Sequence, residues 1–137
     1  MSTIFSKIID GSIPCYKVAE NADFMAFLDI NPLAKGHTLV IPKKATDYIF
    51  DIEDSDYKEL FLFAKKVARA MKKVIECKKI GVTVIGLEVA HAHIHLVPVN
   101  SVYDMDFKKP KLVLSKEEFQ EIAKEINEVF IFNNLAI

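Results

Sequence analysis

Apolar side chains recur at helical spacing in three segments of the chain. Residues 3–10 carry this pattern and end at Asp10-Gly11, which predicts a short N-terminal helix. From about Asp54 to Cys77 a longer apolar stripe, with acidic residues in its first turn, predicts a long amphipathic helix. A third helix is predicted after Ser115, because Ser115 and Glu118 have the spacing of a capping box and an apolar stripe follows them. The chain is therefore expected to contain two principal helices and one short one.

Five shorter segments have the composition of β-strands. The first two flank Asn21 and predict a hairpin, the third ends at Pro42, and the last two are β-branched runs that predict a second hairpin. The five predicted strands are residues 16–20, 23–29, 37–42, 81–87 and 91–99. Together with the helices they predict an α+β fold, with five antiparallel strands and two principal helices on one face. The length of 137 residues predicts a single domain over residues 1–137.

Charge and cysteine content narrow the class of protein. The 18 basic and 19 acidic residues give a net charge of -1 without a basic stripe, so no nucleic acid partner is predicted. Cys15 and Cys77 are far apart in sequence, which favours reduced thiols over a zinc knuckle or a redox motif. The first residues lack a secretory pattern, and no apolar run reaches the roughly 20 residues that span a bilayer. These observations predict a cytoplasmic protein with no membrane partner.

Three of the four histidines alternate with apolar residues in His91-Ala92-His93-Ile94-His95-Leu96-Val97. If the segment is one strand, its three imidazoles share a face while the apolar residues between them enter the core. Imidazoles titrate near neutrality, so such a row suits a nucleophile, an acid–base set or a set of metal ligands. The nearest acidic residues, Glu88 and Asp104, form none of the usual zinc-site patterns with these histidines. Catalysis without a metal is therefore favoured, and a histidine-ligated metal hydrolase remains an alternative.

The histidine segment also resembles a known signature, His-φ-His-φ-His-φ-φ with φ apolar, which residues 91–97 match throughout. Further similarity lies upstream, in Ile4-Phe5-x-Lys7-Ile8-Ile9, Ile13-Pro14, Ala26-Phe27-Leu28-Asp29-Ile30, Pro32 and His37-x-Leu39-Val40-Ile41-Pro42-Lys43. In this order the segments resemble the Hint-type branch of the histidine triad (HIT) superfamily. The resemblance implies a HIT-like fold, a five-stranded antiparallel sheet with a long helix and a C-terminal helix, and a homodimer that joins two sheets.

The resemblance implies roles for the four histidines. His93 is expected to attack the α-phosphorus of a nucleotide derivative and to form a nucleotidyl-histidine that water hydrolyses. His95 and His37 are expected near the phosphate as hydrogen-bond donors, and His91 is expected behind them, where it helps to orient its neighbours. No cofactor and no metal is implied.

Residues for the nucleoside are implied in the same way. The base is expected between apolar side chains, and Asp29 is expected to hold the ribose hydroxyls. The apolar residues that match are Ile4, Phe5, Ile8, Phe27 and Ile30. From the residues alone, Ile4, Phe5 and Phe27 are better explained as core, and Asp29 as a turn residue, and only the resemblance favours the binding roles.

Glu88 departs from the Hint-type pattern. Gly86-Leu87-Glu88 stands where similar proteins carry glycine and then a polar pair such as Gln-Ser, so a phosphate-binding hydroxyl is missing. A carboxylate there repels phosphate unless it is protonated or points away from the site. Alternatively, Glu88 donates a proton to the leaving group. We expect a hydrolase of purine nucleoside phosphoramidates or related nucleotides. The alternatives are a nucleotide-binding interaction protein with little turnover and the metal hydrolase.

Overall fold

A computed structural model describes residues 2–135 and contains one five-stranded antiparallel sheet in the order β1-β2-β3-β5-β4. The strands are β1 (Lys17–Glu20), β2 (Phe24–Leu28), β3 (Thr38–Pro42), β4 (Lys79–Thr83) and β5 (Ile94–Val99). The helices are α1 (Ile4–Ile9), α2 (Asp54–Val74) and α3 (Lys116–Asn133), with short 3-10 turns at Ile49–Asp51 and Val102–Met105. The predicted α+β fold is confirmed. Met1, Ala136 and Ile137, which the predicted domain includes, lie outside the described residues.

Both long helices cover the same face of the sheet. The buried residues of α2 include Leu60, Ala64, Val67 and Met71, whose spacing of three or four places them on one side of the helix. The capping box predicted at Ser115 is present and starts α3, whose apolar side also joins this core. Among residues 2–135, no helix combines the length and apolar run needed to cross a membrane.

The opposite face of the sheet carries a second, smaller apolar cluster. Leu39 and Ile41 of β3 belong to it, while Val40 between them belongs to the helix-side core, as the two-residue period of a strand requires. The short helix α1 lies over this cluster and contributes Phe5. Because the two long helices cover the other face, a ligand site is expected on this second face.

The prediction that all three histidines of the row lie in one strand is wrong. β5 begins at Ile94, so His91 and His93 precede it, and β4 covers residues 79–83 instead of 81–87. The backbone leaves the ladder because Ala92 donates its N–H to the Thr46 carbonyl, outside the sheet. Alternation nevertheless persists, since Ala92 and Ile94 enter the helix-side core.

Candidate active site

A cavity of about 440 Å³ lies on the sheet face that α1 covers. Its walls include β2, β3, the start of β5 and the loop between β4 and β5. The sequence-predicted residues on its lining are Ile4, Phe5, Ile8, Phe27, Asp29, Ile30, Glu88, His93 and His95. The two remaining predicted residues, His37 and His91, do not line it and are fully buried behind the wall. A single cavity thus brings together nine of the predicted residues.

His93 is oriented by the main chain. Its Nδ1 lies 2.8 Å from the carbonyl oxygen of His91. A carbonyl oxygen only accepts, so Nδ1 must carry the hydrogen of the neutral ring and Nε2 must carry the free lone pair. This tautomer can attack an electrophile from the ring nitrogen that the carbonyl does not hold.

His95 is oriented by His37. The Leu33 N–H donates to His37 Nδ1 at 3.0 Å, so the hydrogen of neutral His37 must be on Nε2. His37 Nε2 lies 3.0 Å from His95 Nδ1 and donates to it, which leaves the hydrogen of His95 on Nε2. The cavity therefore has one imidazole with a free lone pair beside one with a free N–H. His37 does not line the cavity and contacts His95, which does, so its expected place near the phosphate stays a prediction.

Strand pairing brings the rings of His37 and His95 together. In the antiparallel β3–β5 pair, Leu39 is opposite His95, so both side chains lie on the cavity face. His37 precedes Leu39 by two residues and belongs to the same face. The register of two central strands thus determines the contact between histidines that are distant in sequence.

Burial keeps the rings of His37, His91 and His95 neutral near pH 7. It lowers the pKa of His37 to about 3, with further lowering by the charges of His95 and Lys111. It lowers the pKa of His95 to about 4, with a smaller contribution from His93. The pKa of His91 is also lowered, chiefly by burial, although a hydrogen bond to Pro42 opposes the shift. The tautomers deduced for His37 and His95 are therefore the forms present at neutral pH.

His91 contributes through its backbone. Its side chain is buried, with Nε2 2.7 Å from the Pro42 carbonyl oxygen, and within residues 2–135 its Nδ1 has no hydrogen-bond partner. Its own carbonyl holds His93. The expected role in orientation therefore belongs to the main chain of His91, while its ring holds the segment against β3.

An apolar end of the cavity adjoins His93. The Phe5 ring contacts Phe27 edge to face, with centroids 5.7 Å apart, and contacts the His93 ring with centroids 4.9 Å apart. A capping box between Thr3 and Ser6 starts α1 one residue before the apolar side chains that face the cavity. The surface at this end suits a flat apolar group that lies within reach of His93.

Two carboxyl groups lie on the polar side of the cavity. Asp29 follows β2, accepts the Asn31 N–H at 2.8 Å, and has a pKa raised chiefly by burial, with Glu88 adding to the rise. His93 and Lys111 act in the opposite direction on Asp29. Glu88 lines the same cavity and is exposed. Its carboxylate is therefore close enough to influence charges in the site.

Asp29, His37 and His95 are also a possible metal-binding group, since one ligand atom of each lies within 4.8 Å of the others. A metal on His37 Nε2 would have to replace the hydrogen that this atom donates to His95. The hydrogen of the neutral ring could then move only to His37 Nδ1. This would break the hydrogen bond that His37 Nδ1 accepts from the Leu33 N–H. A metal on His37 Nε2 would therefore replace the hydrogen bonds that His37 makes with Leu33 and His95.

Eleven lining residues were not predicted from the sequence as site residues, and Cys15, Leu39 and Phe107 are among them. Leu39 could have been found, because it lies two residues after His37 in a predicted strand. Phe107 lies in an irregular segment with no period from which its position could be deduced.

Comparisons with known proteins agree with this geometry. The HIT domain family model matches residues 10–102. An uncharacterized HIT-like protein of Borreliella burgdorferi is 36% identical over 132 residues, covering 90% of this chain and 95% of its own. The adenosine 5'-monophosphoramidase of Schizosaccharomyces pombe is 36% identical over 129 residues, covering 93% and 97%. The crystal structure of a Hit-like protein from Bartonella henselae superimposes with a TM-score of 0.80 at 32% identity, covering 93% and 96%. With its matching domain and fold, the chain belongs to the HIT family.

Proposed function

We propose that this protein hydrolyses purine nucleoside phosphoramidates or related nucleotides through a nucleotidyl-His93 intermediate, as one HIT domain over residues 1–137. The observation that carries the proposal is the complementary pair of rings on one cavity wall. His93 offers a lone pair on Nε2, and His95, whose ring centroid is 5.0 Å away, offers an N–H. The name of the fission yeast relative, a monophosphoramidase acting on an adenosine compound, supports this substrate class.

His93 Nε2 would attack the phosphorus while the His95 Nε2–H donates to a phosphate oxygen. The bond from phosphorus to the leaving amine breaks, and the amine departs with a proton from a water molecule in the open cavity. The hydroxide that remains takes up the proton that the hydrolysing water releases in the next step. The new phosphoryl-imidazolium still donates from Nδ1 to the His91 carbonyl, which stabilises its positive charge. Water then cleaves the histidine–phosphorus bond and releases a nucleoside monophosphate.

We assign the apolar end beside His93 to the base. Its side chains come from α1, from β2 and from the loop after β2, namely Ile4, Phe5, Ile8, Phe27 and Ile30. Asp29 is assigned to the ribose hydroxyls, because it is the carboxyl group that follows β2 on the cavity lining, with its Oδ2 3.6 Å from His37 Nε2. We also infer a homodimer.

The test uses adenosine 5'-phosphoramidate labelled at phosphorus. The wild-type protein should release labelled monophosphate and, when quenched during turnover, should carry an acid-labile label. His93→Ala should show neither label nor turnover while retaining nucleoside binding and its melting temperature, because only the attacking nitrogen is removed.

Two other results would change the assignment. Turnover by His93→Ala at the wild-type rate would exclude the covalent route. Tight nucleoside binding without turnover by the wild-type protein would favour the nucleotide-binding interaction protein.

A further inference from the structure

Four rings form a continuous row across the cavity. Phe5 contacts His93, His93 contacts His95, and His95 contacts Phe107, with successive centroid distances of 4.9, 5.0 and 4.8 Å. All three contacts are edge to face, with interplanar angles of 74°, 61° and 75°. Phe5 and Phe107 therefore lie at opposite ends of the two histidines that face the cavity.

Phe107 belongs to a segment that lies outside the residues matched by the family model, which end at 102. The segment is fixed at several points. A capping box between Ser101 and Asp104 starts the turn at Val102–Met105, and the Leu112 N–H donates to the Pro32 carbonyl at 2.9 Å. The Lys111 ammonium also donates to the Phe107 carbonyl. The ring is thus held in place and half-buried.

The position of Phe107 has a consequence for the reaction proposed above. In an in-line displacement the leaving group lies on the side of the phosphorus opposite the attacking His93 Nε2. If the phosphate accepts the His95 N–H, as proposed above, that direction runs along the row from His93 past His95. The side chain that bounds the cavity in that direction is Phe107.

We propose that Phe107 bounds the leaving-group end of the site, where it selects amine leaving groups with an apolar surface and positions His95 as an N–H donor. This inference rests on the proposed hydrolase function and names the leaving group that the function leaves open. Phe107 also contacts His37, with centroids 6.2 Å apart, and so packs against both rings of the hydrogen-bonded histidine pair.

The selectivity test compares two substrates that differ only in the leaving amine. These are adenosine 5'-phosphoramidate, which releases ammonia, and its N-benzyl derivative, which releases benzylamine. Wild-type protein should have the higher kcat/KM on the benzyl compound, and Phe107→Ala should lose about fivefold to tenfold of that preference, the size of one aromatic contact. Phe107→Leu should keep part of it. Tyr103→Ala is the matched control, because this aromatic residue of the same segment is exposed and does not line the cavity.

A second measurement does not depend on turnover. The charged groups around His95 are Asp29, Glu88, Lys111 and the neighbouring histidines, and Phe107→Ala leaves all of them in place. The substitution admits water to the histidine pair, so the pKa of His95 should rise from about 4 towards 6.5 in an NMR titration. Tyr103→Ala should leave that titration unchanged.

The outcomes separate the two proposals. Wild-type turnover with the same benzyl preference in Phe107→Ala and Phe107→Leu would overturn the leaving-group role while leaving the hydrolase function intact. An unchanged His95 titration in Phe107→Ala would overturn the positioning role. Failure of the wild-type protein to hydrolyse either compound would overturn the hydrolase function and the selectivity together, and the titration alone would then decide whether Phe107 positions His95.

Discussion

Mild acid should destabilise this protein, because its fold buries neutral histidines that become protonated when the chain unfolds. Between pH 7.5 and 5.0 the free energy of unfolding is expected to fall by about 4 kcal/mol, with about 2 kcal/mol from each of His37 and His95. Each ring has a usual pKa of 6.5 in the unfolded chain and a pKa of about 3 or about 4 in the fold. At pH 5.0 the unfolded chain therefore binds protons that the folded protein does not.

The free energy of unfolding falls in acid because of this difference in bound protons. A histidine with a lowered pKa in the fold stabilises the protein fully above its unfolded pKa, and the stability declines as pH falls from 6.5 towards the folded value. His91 acts in the same direction. Asp29 acts in the opposite direction, because burial raises its pKa in the fold.

Urea unfolding followed by circular dichroism at both pH values measures the decrease. His37→Gln and His95→Gln should each remove about 2 kcal/mol of it, since each substitution removes one titrating ring. Thr38→Val is the control, because it replaces a buried side chain in β3 that does not titrate, and it should keep the full decrease. Equal stability of the wild-type protein at both pH values, or an unchanged decrease in both histidine variants, would refute the reasoning.

Three further predictions concern the site and the edge of the sheet. Glu88→Ser should raise kcat/KM on adenosine 5'-phosphoramidate by roughly tenfold or less, since an exposed charge contributes about 1 kcal/mol or less. The control Glu88→Gln removes the charge without adding a hydroxyl, so it separates these two effects. Lower activity in both variants would instead indicate that Glu88 donates a proton. Activity should survive dialysis against a chelator, whereas stoichiometric zinc whose removal abolishes turnover would favour the metal hydrolase. Light scattering should give the mass of two chains, and Val82→Lys, on the exposed β4 edge, should give monomers if the dimer forms along that strand.

The sequence predicted the elements of the fold because their patterns are local. The apolar stripe of α2 and the capping box of α3 are complete within their own segments. The start of β5 was predicted three residues too early, because the Ala92 N–H bonds to Thr46, a contact that no local pattern encodes. Strand ends are decided by such tertiary hydrogen bonds as much as by β propensity.

The candidate site was predicted mainly through resemblance. Alternation in the histidine segment is visible in the sequence, but the contact between His37 and His95 depends on the register of β3 against β5. Phe107 reaches the cavity from an irregular segment, where neither a helical nor a strand period indicates which way a side chain points.

The bond between His37 and His95 joins residues 58 positions apart, and the chain between them includes α2, β4 and the loop that follows β4. Closing a loop of this length costs conformational entropy that only later packing offsets, so this contact is expected to form late in folding. A partly folded chain could already contain α2 and the β1–β2 hairpin while His95 still lacks its partner. The tautomer pair is thus a property of the completed fold, and recovery of activity after refolding would report the last step of assembly.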